Sequence, residues 1–169
     1  PQWNDPRVPE HMFDVAQTEG SVTFNYRNFA RRFFLNNRVW YNHLDCLCFR
    51  PSMARNESVM LASVMGLLCG TFKIGDKIVE MKPEDVAVIQ KILPVYKGDC
   101  RPIDVFRTLL PEILHLPIRK QFKSSSYPWD VVGLFNWGAN RNLIDEKDLE
   151  CKEKEITVKF AELGLDENK

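Results

Sequence analysis

The chain has 169 residues, 44% hydrophobic and 11% aromatic, enough for one ordinary domain or two small ones with a real core. Lys plus Arg and Asp plus Glu stand at 23 each, so no charge bias draws the chain toward nucleic acid or an anionic membrane, and neither is expected as a partner. No apolar run reaches the ~18 residues of a membrane span, and five cysteines with no Cys-x-x-Cys pair and only three scattered histidines argue against a structural zinc site.

The odd cysteine count, with Cys69 inside an apolar stretch, favours buried thiols over a disulfide framework, and no metal or cofactor is expected. The opening at Pro1 without Met and the acidic, turn-like LDENK at the other end read as a fragment of a longer protein.

In chain order, SVTFNYRNFARRFFLNNR (21–38) sets Phe24, Phe29, Phe33 and Phe34 at mixed helical spacings, with Arg27, Arg31 and Arg32 over much of the other face. This predicts an amphipathic helix ending at Asn36-Asn37. VWYNHLDCLCF (39–49) then reads as an extended segment closed by Arg50-Pro51. Ser52 or Asn56 is suited to cap a second helix, ESVMLASVMGLLCG, in which Ala62, Ser63 and Gly66 permit close backbone approach and Gly70 suits a C-terminal cap. That helix is apolar nearly all round, which predicts packing on more than one side. TFKIGDKIVEM reads as a short strand, and KPEDVAVIQKILPVY as a helix with Pro83 in its first turn and Glu84 and Asp85 near its positive end. Helix, strand, helix, short strand and helix in succession suggest α/β layering with parallel strands.

Beyond Gly98 the pattern changes. Pro102, Pro111, Pro117 and Pro128 punctuate the chain, helical periodicity fades, and Ser124-Ser125-Ser126 marks a loop. WDVVGLFNW and EITVKFAEL then read as two strands joined by a polar connection, the start of an antiparallel β unit. No period of 20 to 50 residues repeats, which argues against a solenoid.

The run from Phe33 to Asp76 carries an arginine-bearing helix, Trp40-Tyr41-Asn42-x-x-Asp45-Cys46, a small-residue helix and an Ile74-Gly75-Asp76 stop. It resembles the α-galactosidases of glycoside hydrolase clan D, and within them the family that includes raffinose synthases and seed-imbibition-type proteins. ILPVY, RPIDVF, DVVGLFNW and EITVKFAELGL extend the resemblance from about Phe29 to Leu165. It implies an α/β fold in which residues 1–98 are the final strands and helices of a (β/α)8 TIM barrel and 99–169 begin an antiparallel β-sandwich domain. It also implies a carbohydrate partner, an α-galactoside-type oligosaccharide.

Under the resemblance Asp45 is the carboxylate that accepts hydrogen bonds from sugar hydroxyls. Asn42 braces its loop, and Trp40 packs beside the sugar or under the site. From the residues alone, Asp45 and Asn42 equally well satisfy backbone groups in a turn and Trp40 is core. The family's Asn-Asp-Pro-Asp is Asn42-His43-Leu44-Asp45 here, losing one carboxylate and a rigid proline, with His43 the substitute polar brace.

A retaining glycosidase needs two carboxyl groups about 5–5.5 Å apart. The family's nucleophile lies in a Lys-x-Asp setting that no apolar strand of this chain matches. Pro1-Gln2-Trp3 resembles the segment trailing the family's acid/base, which places that acid upstream. Asp14, in MFDVAQ, is the competing acid/base within the chain, although Glu10 stands where the family has arginine. Asp76 after Gly75 suits an ordinary turn, and Trp129 before Asp130 suits a strand over a core. The resemblance therefore implies part of a retaining hydrolase of terminal α-galactosides, inactive by itself. The alternatives are a noncatalytic carbohydrate-binding or scaffold protein and an unrelated α/β interaction domain.

Overall fold

A computed structural model describes residues 22–49, 55–68, 70–108, 110–122, 125–137 and 153–166. Helix α1 (Val22–Arg31) buries Tyr26 and Ala30, one turn apart, and leaves Arg31 exposed, as an amphipathic helix must. A 3-10 turn over Phe33–Leu35 follows, and Asn37, at a φ of 60°, ends the run in the left-handed conformation that Asn tolerates.

Helix α2 (Arg55–Leu68) is the hub. Ser58, Leu61, Ala62, Val64, Met65 and Leu68 are buried along it, and its two flanks meet different partners. A Cβ on Gly66 would lie 2.8 Å from Ile92 Cγ2, and one on Gly133 would lie 2.6 Å from Leu67 Cδ1. The helix starts at Arg55, which places Asn56 inside its first turn and not at the cap; Ser52 lies outside the described residues. Helix α3 (Pro83–Ile92) begins with Pro83 in its first turn and Glu84 and Asp85 beside it. Arg55 Nε donates to the buried Asp85 carboxylate at 3.1 Å, tying the starts of α2 and α3 together.

Three antiparallel strands follow in the order β1 (Arg101–Pro102), β2 (Ile113–Phe122), β3 (Ser125–Leu134). Ile113 pairs with Leu134 at one end of the hairpin and Phe122 with Ser125 at the other. Leu114, Leu116 and Ile118, alternating along β2, are buried in the same core cluster as Leu61, Val64, Met65 and Leu68 of α2. Tyr26 stacks at 4.4 Å on Trp137, and both donate to the Pro111 carbonyl, at 2.6 and 3.0 Å. Burial, with Asp104 nearby, pushes the Tyr26 phenol well above its ordinary pKa, so it stays a donor.

The loop into β2 is organised by a buried acid. Asp104 accepts from the amides of Glu112 at 2.8 Å and Ile113 at 3.2 Å, and Thr108 Oγ1 approaches at 3.4 Å.

The predicted barrel end followed by a β-sandwich is not what the chain builds. Among the described residues four α-helices accompany one three-stranded antiparallel sheet, and no second sheet faces it. The parallel pairings are isolated bridges, Asn36 to Trp40, His43 to Thr71 and Leu47 to Ile74, never a ladder. The physical reason sits at Asp45, whose φ of 69° turns the chain between the second and third of these contacts and prevents a strand from running through.

Residues 113–122, which include the punctuating Pro117, form a full strand. β1 pairs only with Leu114 and His115, so Pro117 lies past its end and no amide is missed there. The segment EITVKFAEL, predicted as a strand, forms no ladder and ends in a short helix, α4 (Phe160–Leu163), closed by Gly164 at a φ of 71°. Trp129, expected over a core, is 49% exposed.

Asp130, opposite Pro117, accepts from His115 Nε2 at 2.7 Å and Arg119 Nη2 at 3.2 Å. Burial pushes its carboxyl up, but the hydrogen bonds from His115 and Arg119 outweigh it and hold the pKa below the ordinary carboxylate value. A depressed folded pKa contributes stability that is present above the unfolded value of 3.8 and is lost as pH falls through the folded one. Asp130→Asn should therefore destabilise the fold at pH 7 and reduce the acid-side fall in stability. Urea titrations of both proteins from pH 7 down to pH 3 check this, and parallel stability-against-pH curves would refute it.

Candidate functional site

The site predicted around Asp45 is a loop held from behind by the carboxamide of Asn36. Asn36 Oδ1 accepts from the Asn42 amide at 2.8 Å, and Asn36 Nδ2 donates to the Leu68 carbonyl at 3.1 Å, so one side chain ties the loop to the end of α2. The Asn42 carbonyl then accepts from the amides of Gly70 and Thr71, both at 3.1 Å, and from Thr71 Oγ1 at 3.2 Å. Further along, the Leu47 amide donates to Lys73 at 2.9 Å and the Gly75 amide to Leu47 at 2.8 Å. Leu44 and Leu47 anchor the segment by full burial.

Gly70 matters here for space. A Cβ on it would lie 2.9 Å from Asn36 Oδ1, 3.0 Å from Tyr41 Cβ and 3.1 Å from the Asn42 amide nitrogen. Two of these are fixed parts of the bracket, so Gly70→Ala should destabilise the fold by about 1–3 kcal/mol, the usual range for forced overpacking. A denaturant titration would show it, and an unchanged midpoint would mean that the loop shifts freely.

The polar side chains are arranged by elimination. Trp40 Nε1 can only donate, and it does so to Asn42 Oδ1 at 2.9 Å, which fixes the amide and directs Nδ2 elsewhere. His43 Nδ1 accepts from the Asp45 amide at 3.2 Å, so in the neutral ring the proton sits on Nε2. Five buried side-chain polar atoms among the described residues have no hydrogen-bond partner, and three are in this loop: Asn42 Nδ2, His43 Nε2 and Asp45 Oδ2. They amount to two donors and one acceptor.

Asp45 carries two further marks of a residue placed for a purpose other than stability. Its backbone is left-handed, which costs a non-glycine residue about 1 kcal/mol. Burial raises its carboxyl pKa above the ordinary value, against the pull of His43 and Lys73 in the other direction.

The loop's outer face is aromatic. Trp40 is 46% and Tyr41 59% exposed, and Lys97 Nζ sits 5.5 Å from the centre of the Tyr41 ring. The three site residues predicted from sequence, Trp40, Asn42 and Asp45, thus lie in one loop. Trp40 and Asn42 are directly bonded. Sequence reasoning missed Asn36, the bracket's centre, and the exposure of Tyr41; the repeated Asn at 36, 37 and 42 around an aromatic pair was the available signal. Asp76 serves the turn, accepting from the Phe49 amide at 2.5 Å. Asp14 lies outside the described residues.

Chemically, the loop can exchange hydrogen bonds with a hydroxylated ligand and cover an apolar face with its aromatic rings. A hydroxyl group donates to one atom and accepts from another, which suits a loop with one unpaired acceptor and two unpaired donors. Among the described residues no cluster of three or more His, Cys, Asp or Glu is placed to hold a metal ion, and no helix is long and apolar enough to cross a membrane. No family model, curated protein or solved structure matches the chain.

Proposed function

We propose that this chain supplies the sugar-recognising loop of a retaining glycosidase acting on terminal α-galactosides, with Asp45 accepting from sugar hydroxyls. In this reading Asn42 and His43 donate to the sugar, and Trp40 and Tyr41 flank its ring. The observation that carries the proposal is the set of three partnerless buried polar atoms in residues 42–45 beside two exposed aromatic rings. Leaving such atoms unpaired costs about 1–3 kcal/mol each, a cost that a hydroxylated ligand would remove. The choice of α-galactoside follows from the resemblance of the Phe33-to-Asp76 run to that enzyme family.

Covalent double displacement needs a nucleophile as well as an acid, and in this proposal both come from outside the chain. The isolated protein should then bind methyl α-galactoside yet release no nitrophenol from a nitrophenyl α-galactoside. Such a ligand has about 13 heavy atoms, and at about 0.3 kcal/mol each the expected dissociation constant is about 1 mM. Calorimetric titration and the chromogenic assay test the two halves separately. Absence of binding at several times that concentration would overturn the sugar-recognition role, and clear turnover would overturn the assignment of the catalytic pair to another chain or segment. Equal binding of α-galactosides and α-glucosides without turnover would favour a noncatalytic carbohydrate-binding protein.

A further inference from the structure

The sheet's other side carries a second feature that the sugar-binding loop does not use. A cavity of about 510 Å³ lies between the 3-10 turn after α1, the start of β1, the middle of β2 and the end of α4. Phe33 and Phe34, packed edge to face at 5.9 Å, form one wall. Arg38, Arg101, Arg119, Asp99 and His115 line much of the remainder.

The charges do not balance locally. Arg38 shares Asp99 at 3.6 Å across an exposed pair, and Arg119 meets Asp130 at 3.2 Å. Arg101 has no carboxylate partner among the described residues and donates only to the Leu163 carbonyl, at 3.4 Å. Three guanidinium groups thus face two carboxylates. His115 is 1% exposed and gives Nε2 to Asp130, while its Nδ1 is buried with no partner.

We propose that this cavity binds a phosphomonoester, its phosphate oxygens held by Arg101 and Arg38 and its organic group lying against Phe33 and Phe34. The guanidinium left over by the two ion pairs, that of Arg101, favours an anion. Three terminal phosphate oxygens can use several N–H donors at once, whereas a carboxylate offers two oxygens and one charge. The volume falls in the range of small-ligand sites.

The test is calorimetric titration of the full chain with phenyl phosphate, inorganic phosphate and benzoate, with ionic strength matched by chloride. Phenyl phosphate should bind best, inorganic phosphate next and benzoate least. Arg101→Gln, which keeps a donor for Leu163, should weaken phenyl phosphate about tenfold or more, as loss of a charge-assisted hydrogen bond does. Arg38→Gln changes an exposed residue and should weaken it as well, which covers the case in which Arg101→Gln does not fold. No binding above the chloride control would overturn the proposal. So would tighter binding of benzoate than of phenyl phosphate, or unchanged affinity in the folded variants.

Discussion

Asp104→Ala should lower the unfolding free energy by about 3–5 kcal/mol, the largest effect expected of any single polar substitution in the described residues. The carboxylate is 4% exposed and accepts from two backbone amides, Glu112 at 2.8 Å and Ile113 at 3.2 Å. Alanine would leave both donors without a partner at the point where β2 begins, and a buried amide left unpaired costs about 1–3 kcal/mol. The damage should spread, because the Pro111 carbonyl just before these amides is the common acceptor of Tyr26 and Trp137. Asp104→Asn keeps one acceptor oxygen and should lose roughly half as much. Equilibrium urea unfolding of the three proteins measures this, and an alanine variant within about 1 kcal/mol of the parent would mean that water replaces the carboxylate.

Asp45→Asn should act in the opposite sense on stability while weakening recognition. The raised pKa means that the folded state disfavours the charged carboxylate. A group of this kind contributes stability that is fully present below its unfolded value of 3.8 and is lost as pH rises through its folded pKa. Replacement by the neutral, isosteric Asn, which tolerates the left-handed backbone, should therefore stabilise the protein near pH 7 and do little near pH 3. The charged acceptor is lost in the same step, leaving one neutral amide oxygen, at about 1.5–3 kcal/mol of binding, a roughly ten- to hundredfold weaker affinity for methyl α-galactoside. Paired thermal melts and titrations report the two effects. A variant that loses both stability and binding would mark Asp45 as a structural residue of its turn.

The sequence made some elements legible because their signals are local. Pro83 followed by two acids marks a helix start whatever surrounds it, and α3 begins there. The apolar run of α2 similarly required burial on two sides, which Gly66 against Ile92 and Leu67 against Gly133 provide. Residues 39–49 misled because alternating aromatic and polar residues imitate a strand, whereas the left-handed turn at Asp45 leaves no local apolar signature. Pro117 misled in the other direction, since only the register shows that β1 stops short of it. In FAELG, Glu162 accepting from the Lys159 amide at 3.1 Å and a left-handed Gly164 were readable as helix ends, but the β-branched residues before them dominated the pattern.

The site shows the same division. Trp40, Asn42 and Asp45 stand close in sequence, so their sharing one loop could be anticipated. The unpaired atoms could not, because they depend on how the loop is placed in space: Asn36 ties it to Leu68, far along the chain, and Trp40 sets the free direction of the Asn42 amide.

The most direct measurement of the sugar-recognition claim is a ¹H–¹⁵N NMR titration with methyl α-galactoside that follows the Trp40 indole N–H and the Asn42 side-chain amide. If the loop binds the sugar, these two signals should move together and saturate at one dissociation constant, and Asp45→Asn should hold them still under the same conditions. If they stay fixed while signals from elsewhere in the chain saturate, or if the Asp45→Asn protein titrates as the parent does, the loop is not the site.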